Sequence, residues 1–161
     1  MRQSGSCHSR GVLWSVTWGR ERGLLNSIEK AGYVVIRAGL LLTVRKRGTT
    51  KFILPGGKLE GRETAEQALL REIREELGCD CVEYVAWNSI DTIDAFHPER
   101  HLRIHLFLGE VRPEPRVLAE LAELRWLNCV PTSGMEECLV PSLSLTIVPM
   151  LLEAGLLDGG G

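Results

Sequence analysis

No stretch of this 161-residue chain approaches the ~20 consecutive apolar residues that span a bilayer, so no membrane helix is expected. An excess of positive charge is also missing. The 19 Lys and Arg against 21 Asp and Glu give a formal net charge of −2, which argues against a dedicated binder of nucleic-acid polymers. Cysteine is scattered over positions 7, 79, 81, 129 and 138. Cys79 and Cys81 are one residue apart, whereas zinc and redox motifs use a two-residue spacer, and Cys7-His8 has no second ligand pair. Reduced thiols in a cytoplasmic protein are the expectation. The run from Gly11 to Trp18 behind Arg2 and Arg10 imitates a signal peptide. It is short, is interrupted by Ser15 and Thr17, and lacks a small-residue cleavage site. Internal repeats and low-complexity tracts are absent. What remains is ordinary for one globular domain, 44% apolar and 25% charged.

The informative residues are concentrated between 52 and 79. Glu72, Glu75 and Glu76 occupy little more than one helical turn. At about 100° per residue, the three carboxylates fall within roughly 100° of one another on a helix surface. Like charges at these spacings repel, so packing alone gives no reason for them. Hard divalent cations do, because Mg2+ takes carboxylate oxygens. The competing reading, a solvated charged face, leaves the glycines in front of the helix unexplained. Thr64 and Gln67 have the spacing of a capping box, and Gly78 stands where a helix end takes a left-handed residue. Leu69, Leu70, Ile73 and Leu77 form an apolar stripe offset from the acidic face by about a third of a turn. Arg71 and Arg74 flank the carboxylates and can orient them. Ahead of the helix, Phe52-Ile53-Leu54 runs into Pro55-Gly56-Gly57, where glycine lets the backbone approach a ligand and offer a carbonyl to a metal.

Residues 57–79 resemble, position for position, the Nudix box G-x5-E-x7-R-E-U-x-E-E-x-G-U, with U a bulky apolar residue. Gly57, Glu63, Arg71, Glu72, Ile73, Glu75, Glu76 and Gly78 comply, and Cys79 stands where a larger aliphatic is usual. The resemblance implies an α/β/α sandwich with a mixed β-sheet. It implies hydrolysis of a nucleoside diphosphate linked to another group, with Mg2+ or Mn2+ as the cofactor. Glu72, Glu75 and Glu76 become metal carboxylates, and Gly56 a carbonyl ligand. Glu63 and Arg71 lock the loop to the helix. Glu72 is the first choice of general base and Glu75 the second. Outside the box the chain is similar to the MutT-type branch. Glu120, six residues before Trp126, then becomes the outer metal carboxylate, and Arg100 a residue near the substrate base. Phe96 or Phe107 could stack on that base, with core packing the competing role. Lys58, after the glycine pair, and Arg45, at the end of a strand, are candidates for polyphosphate contact. The alternating His97, His101 and His105 lack a second ligand set, so no metal role is expected for them.

A nucleoside triphosphate, cleaved to monophosphate and pyrophosphate, is the leading substrate on this resemblance. A nucleotide sugar or other diphosphate-linked metabolite is the alternative, and a non-catalytic nucleotide-sensing module the third. Asp94, Ala95 and Phe96 stand where ADP-ribose and dinucleoside-polyphosphate subgroups carry their signatures, and Asn128 falls too early for a purine-binding asparagine. A small nucleotide-type molecule, not a polymer or a membrane, is the expected partner, in a monomer or homodimer. Residues 33–36, 40–44, 51–54, 81–94, 102–108 and 124–127 have strand character, and 141–152 reads as a closing amphipathic helix kinked at Pro149. The hydrolase domain is expected over residues 28–157. Residues 1–27, with Trp14 and Trp18, form an extension, and 158–161 a tail.

Overall fold

A computed structural model of the chain describes residues 27–128 and 135–157. Two three-stranded sheets form its frame. In the first, β1 (Ser27–Val34) runs parallel to β5 (His97–Arg112), and β5 pairs antiparallel with β4 (Asp80–Asp94), so this sheet is mixed. In the second, β3 (Leu40–Lys46) lies between β2 (Ile36–Arg37) and β6 (Leu121–Asn128), all antiparallel. Ala38 and Gly39, with φ of 49° and 75°, make the two-residue turn from β2 to β3. Helix α1 (Ala65–Leu77) covers one face, and a closing helix ending in α3 (Val148–Glu153) covers the other. The short α2 (Met135–Cys138) precedes it.

Strand periodicity explains why two cores form. Successive side chains point to opposite faces. Tyr33, Val35, Leu42, Val44 and Phe107 therefore pack with Leu69, Ile73 and Leu77 of α1. Val34, Leu41 and Leu106 pack with Leu143, Ile147 and Leu151 of the closing helix. Burial on both faces is the α/β/α sandwich that the sequence implies.

Three elements differ from expectation. The first strand begins at Ser27, not at Tyr33, and Ser27 pairs with His101 across the expected domain boundary. Its polar start is held by main-chain pairing to β5 and a bridge from Lys30 to Lys58, which apolar patterning does not reveal. Residues 51–54 do not form a regular strand. Ile53 exchanges two 2.9 Å hydrogen bonds with Val44, and Phe52 bridges to Leu139. The closing helix starts as a wide turn, Ser142–Ile147, in which the Val148 N–H reaches back five residues to Leu143 O. Pro149, which has no N–H, sits in the first turn of α3, so the expected kink takes the form of a change of helix type. Trp14, Trp18, Cys7, Cys129 and the 158–161 tail lie outside the described residues. Cys79, Cys81 and Cys138 are free thiols. Among the described residues, no helix is long and apolar enough to cross a membrane.

Candidate active site

Helix α1 is entered through a complete capping box. Gln67 N–H donates to the Thr64 hydroxyl at 3.2 Å, and Thr64 N–H to Gln67 Oε1 at 2.9 Å. Gly78 closes the helix in the left-handed conformation, its N–H on Arg74 O at 3.0 Å. Ahead of the helix, the loop of residues 55–60 is tied to β1. Ala31 N–H bonds Gly57 O, and Tyr33 N–H bonds Pro55 O, both at 2.9 Å. At Gly56, φ is +125°, and an added Cβ would lie 2.2 Å from Ala31 O. At Gly57 the same atom would meet the Glu72 carboxylate at 2.1 Å. Glycine here lets loop, strand and helix converge.

Arg71 binds the loop to the helix. Its Nε and Nη2 donate to the two Glu63 oxygens at 2.8 and 2.9 Å, and Nη2 also reaches Lys58 O at 3.0 Å. Nη1 donates to Glu72 Oε1 at 3.0 Å and lies 3.5 Å from Glu75 Oε2. Hydrogen bonds from Arg71, and then from Glu60 N–H, hold the Glu63 carboxyl down at about 2, against 4.5 ordinarily. A depressed carboxylate contributes stability that is full above about pH 4.5 and is lost as pH falls toward 2. Arg71→Met is expected to lower the melting temperature and to reduce turnover, because it frees Glu63, Glu72 and the Lys58 carbonyl together. Thermal melts and rates measured side by side check this, and an unchanged melt would contradict the lock.

Glu76 is 2% exposed. It is seven residues from Leu69, about 20° away around the helix, so it rides on the apolar stripe. Gly56 N–H donates to its Oε2 at 3.2 Å. Its Oε1 is buried and makes no hydrogen bond among the described residues, although Lys46 Nζ lies 3.3 Å away, out of alignment. Burial pushes the Glu76 carboxyl up to about 7, and Glu72 adds to this, while Lys46 and Gly56 N–H pull the other way. Lys46 also pairs with Glu120. An ammonium thus sits between the Glu76 and Glu120 carboxylates, where a metal cation would meet the same charges. Among the described residues no three Asp, Glu, His or Cys side chains are gathered closely enough to ligate one ion, since Arg71 and Lys46 hold these carboxylates. The buried, unmatched Glu76 oxygen and an all-oxygen donor set nonetheless suit a hard divalent cation.

Beside this cluster lies a cavity of about 370 Å3. Gly56, Gly57, Lys58, Glu72, Lys46 and Glu120 line it, together with the apolar Leu102, Ile104, Val140, Leu143 and Ile147. Of the residues expected from sequence, Glu75 is 57% exposed on the helix surface and outside this lining. Two others lie elsewhere. Arg45 pairs with Glu123 at 2.9 Å, and Arg100 with Glu99 at 3.4 Å. Lys46 enters the cavity where Arg45 was expected. The signal was available, because Lys46 shares the strand face of Val44, which packs under α1, while Arg45 points the other way. Phe107 is buried in the α1 core, and Phe96 lines the cavity. Lys30 and Asp94 also line it, without any signal in the box.

The NUDIX domain description matches residues 28–130. The chain belongs to the NUDIX family. It is 48% identical over 54 residues to an 8-oxo-dGTP diphosphatase of Proteus vulgaris, a match covering 34% of this chain and 46% of the relative. The chain therefore spans about half the length of that relative. Among solved structures, a MutT NUDIX hydrolase from Burkholderia pseudomallei superposes with a TM-score of 0.58 at 28% identity, covering 64% of this chain and 84% of that one. The solution structure of the E. coli ORF135 protein gives 0.60 at 25% identity, covering 81% and 93%.

Proposed function

We propose that this chain is a Mg2+-dependent hydrolase, with residues 28–157 as its domain, that cleaves a nucleoside triphosphate to monophosphate and pyrophosphate. One observation carries the reading: a single cavity joins a glycine, carboxylate and lysine end to an apolar end. A nucleotide has the same two-part chemistry, a charged polyphosphate on an apolar, hydrogen-bonding base. The Gly56 carbonyl, Glu72, Glu75, Glu76 and Glu120 would hold Mg2+, with Mn2+ as a substitute. A divalent cation there supplies charge neutralisation on phosphate and lowers the pKa of a bound water. Lys46 and Lys58 meet phosphate oxygens, Lys46 exchanging its carboxylate partners for them. Glu72, steadied by Arg71, accepts the proton of the attacking water. Arg45 and Arg100 make no contact in this scheme. A cytoplasmic nucleotide pool is the matching location.

The test is a panel of nucleoside triphosphates, nucleotide sugars and dinucleotides with Mg2+, products separated by chromatography. Monophosphate and pyrophosphate from a triphosphate are expected. Release of diphosphate and phosphate, or cleavage of nucleotide sugars alone, would contradict the reading. Mg2+ or Mn2+ is also expected to raise the melting temperature, by mass action on a site present only in the native state. At a hundredfold excess over Kd, this stabilisation is about 2.7 kcal/mol. Zn2+ should not be required, because the proposed donors are oxygens. A melt indifferent to Mg2+ and Mn2+ would count against the site.

A further inference from the structure

The positive charge between Glu76 and Glu120 is supplied by the chain itself. Lys46 Nζ lies 3.3 Å from Glu76 Oε1 and pairs with Glu120. The main chain around it is fixed. A register shift in the β3–β6 pair falls between Arg45 and Lys46. Lys46 O accepts from Thr49 N–H at 3.2 Å and from the Thr49 hydroxyl at 2.9 Å, and Arg47 N–H donates to Glu120 O at 3.0 Å. These bonds keep Glu120 beside Lys46 whatever the side chains do. The four-carbon stem can still swing, and it borders the cavity. The contact with Glu76 is not that of a settled partner. Glu76 is 2% exposed, yet its Oε1 takes no aligned bond from the ammonium, so its charge is matched by proximity alone. One buried and one exposed carboxylate thus share a single charge, where a doubly charged ion would be held more strongly.

We propose that Lys46 is a resident counter-ion, a positioning residue that neutralises Glu76 and Glu120 in the metal-free protein, is displaced by the entering divalent cation, and is thereby handed to the phosphates. This rests on the divalent-cation reading above and adds the residue that couples metal to substrate. An ammonium and a divalent ion repel, and the repulsion is strong where water is excluded, so the ion binds only as Nζ leaves. Glu72 in the same lining is already held by Arg71, so a phosphate oxygen is what the released ammonium has to gain. Metal entry therefore raises the affinity for a polyphosphate. By linkage, a polyphosphate raises the affinity for metal by the same factor. Without phosphate, the cost of displacing Lys46 keeps metal binding weak, and the fully loaded site forms on the substrate.

Two experiments on the full chain test this without turnover. In Mn2+ titrations at pH 8 without phosphate, Lys46→Met should bind the ion at least about tenfold more tightly than the wild type, the scale of a typical coupling between two ligands. A proton on Glu76 gains from the same loss, but a doubly charged ion gains more, so the direction holds. Lys46→Arg should return to the wild-type affinity. Lys30→Met removes an equal charge from the cavity wall at a residue paired with neither carboxylate, and should change the affinity by less than about threefold. That variant separates displacement from a general gain of negative charge. A crystal of the wild type grown in Mn2+ should show Lys46 Nζ withdrawn from both carboxylates, and one grown in Mn2+ with pyrophosphate should show it on a phosphate oxygen. Equal Mn2+ affinity in the wild type and Lys46→Met, or Nζ still between the carboxylates beside a bound ion, would overturn the proposal and leave the metal reading standing. Failure of both proteins to bind Mn2+ would overturn the two together.

Discussion

Replacing Glu76 by glutamine is expected to cut turnover at least about a hundredfold while raising the melting temperature of the metal-free protein. The two effects have one origin. Burial holds the Glu76 carboxyl at about 7, against 4.5 ordinarily, so at neutral pH a partly charged group is kept in the core. Between those values the native chain binds a proton that the unfolded chain has released. Stability of the wild type therefore falls as pH rises from about 4.5 to about 7, and stays at the lower level above. Glutamine has no such proton to lose. In EDTA the variant should melt with the wild type at pH 5 and above it at pH 8. The amide can still accept from Gly56 N–H, and Lys46 keeps Glu120. What is lost is the carboxylate charge required of a metal ligand. Near-normal turnover in the variant would remove Glu76 from the site.

The two adjacent glycines should fail in different ways. In Gly56→Ala the new Cβ would lie 2.2 Å from the backbone oxygen of Ala31, at a φ of +125° that alanine rarely adopts. The loop would have to leave β1 and break the 2.9 Å bonds from Ala31 and Tyr33. A loss of about 3 kcal/mol of stability is expected, read from denaturant unfolding. In Gly57→Ala the clash is with the Glu72 carboxylate, the far end of a side chain. That group can swing aside, so the fold should survive while turnover falls on the order of a hundredfold. An active Gly57→Ala, or a Gly56→Ala as stable as the wild type, would contradict this account of the loop.

Helix α1 is legible in the sequence because its signals are local: the capping box, the left-handed Gly78 and the 3.6-residue stripe each lie within one segment. The burial of Glu76 is also legible, once its two-turn spacing from Leu69 is counted. The two-faced sandwich follows from strand periodicity, since Val34 and Val35 go to different cores. The start of β1 is not legible, because main-chain pairing to β5 needs no apolar side chain. Arg45 and Lys46 show how a neighbouring cation misleads: charge type is identical, and only strand parity separates the Glu123 pair from the cavity. Lys30 and Asp94 are non-local. They share a cavity only because β1 lies beside β5 and the β4–β5 turn brings Asp94 to the same wall.

The central claim, that the α1 carboxylates hold a divalent cation, is tested most directly by Mn2+ binding, followed through the paramagnetic resonance signal of the free ion. At pH 8 the wild type should bind at least one Mn2+ per chain. Binding should weaken as pH is lowered through 7, where Glu76 regains its proton, and should weaken again in Glu76→Gln. An absence of Mn2+ binding, or binding indifferent both to pH and to Glu76→Gln, would contradict the account.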